Sequence, residues 1–114
     1  MDSFLASSGA AWLALIGAGF FEIGWPLGLK MAQVGPHRVL GALFAIFMMA
    51  VSGALLWFAQ KIIPMGTAYA VWTGIGAVGT FVLGVLLYGE PANILRILGG
   101  SLIVLGVICL KAGH

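Results

Sequence analysis

Charge is the scarcest property of this sequence. Of 114 residues only 7% are Asp, Glu, Lys or Arg, five basic against three acidic. A water-soluble domain carries about 25% charge and about 45–50% apolar residues. Here 62% are hydrophobic and the mean hydropathy is +1.17, which excludes a soluble enzyme. The formal net charge of +2 is spread singly along the chain, so no basic patch is present to hold a nucleic acid. Cysteine is nearly absent as well. Cys109 stands alone in an apolar run, which excludes an intrachain disulfide framework and reads as packing. No His, Cys and carboxylate grouping has metal-ligand spacing, and neither a metal nor another cofactor is implied. The opening MDSFLASSGAAWLALIGAGFF has no basic n-region, carries Asp2 and runs into Glu22, so it reads as a first membrane span of the mature protein.

What the sequence has in abundance is long apolar runs. Four helical spans use about 80 residues and leave about 34 for termini and loops, too few for an extramembrane domain. The expectation is an all-α integral membrane protein, a single four-helix domain over residues 1–114 with spans at about 10–30, 39–59, 66–87 and 94–111. MAQVGPHR supplies Gly35 and Pro36 to the first turn, and QKIIP supplies Lys61 and Pro64 to the second. In YGEPAN, Pro91 suits the first turn of the fourth helix, with Glu90 and Asn93 at the membrane interface. Lys30 and Lys111 close the first and fourth spans, Arg96 snorkels, and His37 and His114 are read as surface residues.

An even number of spans puts both termini on one side. Lys61 and Lys111 fall on that side and Lys30, Arg38 and Arg96 on the other, two against three. So small a difference does not select an orientation. Chains inserted both ways could pair as an antiparallel dimer, reproducing the inverted halves of larger transporters. The alternative is one orientation fixed by a partner or by the terminal amine.

Seven charged residues lie in the N-terminal tail, in loops or at span ends, and Glu22 alone sits inside a span. A charge at mid-helix costs about 2.5–3.5 kcal/mol on insertion scales, which points to ion, proton or substrate handling. A carboxyl there can hold a proton or take a cation in its place, and mutual exclusion of the two couples their movements. The structural alternative is a protonated acid bonded to another helix. Trp25 and Pro26 follow three and four residues later, on the same helical face. Pro26 has no N–H, so the Glu22 carbonyl loses its usual helix partner unless a neighbour or water replaces it.

Tyr69 and Trp72 are three apart, and Gly76 and Gly79 continue their face. Such aromatics often mark membrane interfaces. At Trp72's depth, however, phenol and indole donors need partners, and the Glu22 carboxylate is the expected one. Ser52 is expected to join this network, although a membrane serine often bonds its own helix. The segment from Gly74 to Gly79 matches GxGxxG without the strand a dinucleotide site requires, so its glycines read as a helix bend and close packing. Gly99 and Gly106, seven apart with Gly100 and Ser101 nearby, suggest a packing seam between subunits.

FEIGWPLGLK and PMGTAYAVWTGIGAVG together resemble the small multidrug resistance transporters, and the resemblance extends over all four spans. Trp25, third after the glutamate, is similar to the guanidinium-exporter subtype rather than the quaternary-ammonium subtype. The resemblance implies an antiparallel homodimer in the bacterial inner membrane, exporting guanidinium in exchange for protons through one shared central site. It assigns the central acid to Glu22, its neighbour to Trp25, the network serine to Ser52 and the third-helix pair to Tyr69 and Trp72. It also assigns the bend to Gly74 and Gly76 and the dimer seam to Gly99 and Gly106. Pro26 departs from the small residue expected after the tryptophan and is read as shaping the site. Guanidinium is planar and offers paired N–H donors that match a carboxylate. Two other readings stay open: a broader exporter of quaternary-ammonium and hydrophobic cations, and a non-transporting assembly or lipid-handling subunit. An enzyme is disfavoured, for no nucleophile and base are paired.

Overall fold

The computed structural model describes residues 8–113, so Asp2 and His114 lie outside the described residues. Hydrocarbon offers backbone groups no hydrogen-bond partners, so an apolar chain satisfies them internally by forming helices. Among the described residues four result: α1 (Ser8–Val34), α2 (Arg38–Ala59), α3 (Met65–Tyr88) and α4 (Ile94–Ala112). Each is long and apolar enough to cross a membrane, and the protein is an all-α membrane protein. α1 runs past Lys30, and Pro26 lies within it without ending it.

The connections are short. Ile62 and Ile63 both donate backbone N–H groups to the Ala59 carbonyl, at 3.2 and 3.0 Å, which folds Ile63 back into the core. α3 stops at Gly89, whose φ of 65° suits a residue without a Cβ, and the Glu90 N–H then closes onto the Gly84 carbonyl at 3.1 Å. Asn93 starts α4 by accepting the Arg96 N–H at 3.0 Å. Pro91 therefore stands in the extended lead-in, not in the first helical turn expected for it, because the Asn93 cap fixes the helix start beyond it.

α1 is the central element, packed on α2 and α3, whereas α4 lies chiefly against α3. The extents, 46 × 35 × 18 Å, describe a slab, and no residue of α4 is buried. α1 and α2 meet backbone to backbone. A Cβ added at Gly28 would lie 2.7 Å from the Gly41 carbonyl oxygen, and one at Gly41 would lie 2.7 Å from the Ala32 nitrogen. Small residues permit this approach, which supplies packing that the hydrophobic effect cannot supply within lipid. The best-buried cluster, with Trp12, Leu15, Ile63 and Val71, lies where α1 begins and α2 turns into α3.

Basic side chains lie on aromatic rings at both ends of the bundle. Lys61 Nζ is 4.3 Å from the Trp57 centroid and Lys111 Nζ 5.1 Å from that of Trp12. On the opposite side Lys30 Nζ is 5.8 Å from Tyr88 and Arg96 Cζ 4.8 Å from Phe81. Their stems stay with apolar surface while the charges reach the interface.

Candidate functional site

Glu22 lies near the middle of α1, its side chain partly buried against α3. Gly76 makes the room: a Cβ added there would lie 2.5 Å from Glu22 Cγ. The Trp25 indole N–H donates to Glu22 Oε1, which fixes one carboxylate oxygen and leaves the other available. Both residues line an open cleft of about 460 Å³, walled also by Pro26, Tyr69 and Trp72. Tyr69 is 57% exposed, and its ring stands 5.6 Å from that of Trp72, tilted by 54°. An acid facing two indoles and a phenol in a shallow cleft suits a small organic cation: charge from the carboxylate, ring faces from the aromatics.

The expected Trp72 partner is different. Its indole N–H donates to Ser52 Oγ at 2.7 Å, and Ser52 Oγ in turn donates to the Ala18 carbonyl at 2.7 Å. Ser52 is fully buried and does not line the Glu22 cleft. This relay ties α3 to α2 and α2 to α1 at Ala18, one helical turn before Glu22. Ser52 thus acts on the backbone that carries the acid and not on the carboxylate, because its single hydrogen is already directed at Ala18.

α3 is helical without interruption from Met65 to Tyr88, through the glycines expected to bend it. In this conformation they admit neighbouring side chains. Gly74 faces Val107 of α4, Gly76 faces Glu22, and Gly79 faces Ile23. Gly99 and Gly106 have nothing within 4 Å of an added Cβ, so neither packs within the protomer. Ser101 beside them donates to the Ile97 carbonyl of its own helix at 2.8 Å.

The cleft also contains Met49, Thr73, Ala77 and Thr80, which sequence reasoning did not select. A signal was present: Tyr69, Thr73, Gly76 and Thr80 follow one another by four, three and four residues, one face of a helix.

A family profile described as Small Multidrug Resistance protein matches residues 10–105. The chain belongs to the small multidrug resistance family. Among its relatives, the guanidinium exporter of Yersinia pseudotuberculosis is 50% identical over 101 residues, covering 89% of this chain and 96% of the relative. The guanidinium exporters of Proteus vulgaris and Escherichia coli are each 48% identical over 101 residues, covering 89% of this chain and 96% and 95% of theirs. The stretch matched to the small multidrug resistance family holds every residue of the Glu22 cleft and Gly99, and stops one residue short of Gly106.

Proposed function

We propose that this protein is a proton-coupled antiporter that exports guanidinium and small guanidinyl cations across the bacterial inner membrane, working as an antiparallel homodimer. One observation carries the reading: a lone intramembrane carboxylate, held by Trp25 in an open aromatic cleft, in a chain about half identical to guanidinium exporters. Glu22 holds either a proton or the cation. Trp25 orients one oxygen so that the other meets guanidinium N–H groups, and the Glu22 of a second subunit completes an edge-on clamp. Trp72, anchored through Ser52, is the inner wall, while Tyr69 is the exposed one. Pro26 shapes the rim, and Gly74 and Gly76 give α3 the freedom to reorient between the two openings. The unpacked faces of Gly99 and Gly106 support a seam between the α4 helices of two subunits.

The rings of Trp25, Tyr69 and Trp72 also favour a second reading, export of hydrophobic cations without N–H donors. Purified protein in liposomes separates the two. Guanidinium is expected to drive proton movement and tetrapropylammonium is not; the reverse order of activity would exchange the readings, and silence with both would support a non-transporting role.

A further inference from the structure

A second cleft, of about 340 Å³, opens at the end of the bundle where α3 passes into α4. Pro26, Ala77 and Thr80 line both this cleft and that of Glu22, so the two adjoin through a common wall. It holds a carboxylate of its own. Glu90 folds back over Gly84, where an added Cβ would collide with its carboxylate, and its Oε1 lies 3.5 Å from Arg96 Nη2. The same guanidinium lies over the Phe81 ring, 4.8 Å from the centroid. Lys30, the other cation of this cleft, is directed at Tyr88.

A carboxylate and an aromatic face are the two elements that recognise a planar guanidinium, and here one already occupies them. Its hold is slight, for the two side chains are 36% and 45% exposed, and an ion pair so open to solvent closes and opens with similar ease. Replacing Arg96 by a free guanidinium ion leaves the charge of the cleft unchanged. A compact ammonium would reproduce the charge but neither the paired donors nor the stacking. We infer that Glu90 and Phe81 form a second guanidinium-binding station, occupied at rest by the Arg96 side chain and separated from Glu22 by the wall of Pro26, Ala77 and Thr80. The inference rests on the guanidinium reading of Glu22.

The experiment is equilibrium binding of radiolabelled guanidinium to the purified full-length protein, with methylammonium as control. Wild type reports the Glu22 site. In Glu22→Gln a weak saturable site is expected to persist, and Glu22→Gln with Arg96→Ala is expected to bind about two- to fivefold more tightly, the factor by which an exposed ion pair competes. Adding Glu90→Gln abolishes that binding, and adding Gly84→Ala does the same by displacing the carboxylate without altering charge. Methylammonium binding is expected not to tighten in any variant. If Glu22→Gln with Arg96→Ala shows no saturable guanidinium binding while wild type binds, the station is overturned and the Glu22 reading stands. If wild type itself shows no saturable binding, the Glu22 reading falls and the station with it.

Discussion

The Trp25 indole donates its N–H to the Glu22 carboxylate one turn earlier on the same helix, so the acid is oriented by α1 itself and needs no second helix to aim it. A hydrogen bond to a charged group is worth about 1.5–3 kcal/mol, and Trp25→Phe removes it while keeping an aromatic wall. Guanidinium affinity is expected to fall about tenfold in Trp25→Phe, with thermal stability unchanged, because this donor faces the cleft and not the core. Binding and melting measured on the same preparation check both halves of that statement.

Ser52 and Trp72 predict the opposite pattern. Their bonds tie three helices together in a buried position, and Ser52→Ala leaves the Trp72 N–H and the Ala18 carbonyl without that partner. The expected cost is about 1–3 kcal/mol of stability. Trp72→Phe combined with Ser52→Ala is expected to cost less than the sum of the single changes, since the second change removes a group the first has orphaned. Denaturant unfolding in detergent measures this cycle, and additive effects would contradict the relay.

Two glycines on α1 and α3 distinguish site from scaffold. A Cβ at Gly76 meets the Glu22 stem, a flexible side chain, whereas a Cβ at Gly28 meets the Gly41 backbone carbonyl. Gly76→Ala is therefore expected to keep the fold and lose most guanidinium transport by displacing the carboxylate. Gly28→Ala is expected to destabilise the α1–α2 contact by about 1–3 kcal/mol, as overpacking does. Melting temperature and transport rate, read together, assign each glycine to its role.

On α4, large residues at Gly99 and Gly106 meet open space in the protomer. Gly99→Leu with Gly106→Leu is expected to leave helix content unchanged and to abolish the dimer in cross-linking and size-exclusion measurements. Lysines added to one set of loops are expected to force a single orientation and lower activity, and coexpression with the oppositely biased variant is expected to restore it.

The helices were legible because hydrocarbon leaves an apolar run few alternatives, and Glu22 was legible because a single charge within such runs has no ordinary explanation. Trp25 followed from its three-residue spacing, since one helix fixes both groups. The Trp72 partner was not legible. Ser52 is 20 residues away on another helix, and its nearness depends on how α2 settles against α1. Thr73 and Thr80 were overlooked for a different reason: membrane threonines commonly bond their own helix, so only the face shared with Tyr69 and Gly76 marks them out. Pro91 was placed by a general preference for first turns, and the Asn93 cap decided the helix start instead.

The central claim is that a proton and a guanidinium ion exclude each other at Glu22, and the most direct measurement is guanidinium affinity as a function of pH for wild type and Glu22→Gln. Competition for one carboxylate predicts that wild-type affinity weakens as pH is lowered, approaching about tenfold per pH unit for one proton displaced. In Glu22→Gln the wild-type slope is expected to be lost. A wild type whose affinity does not change with pH, or a Glu22→Gln variant with the wild-type slope, would contradict the account.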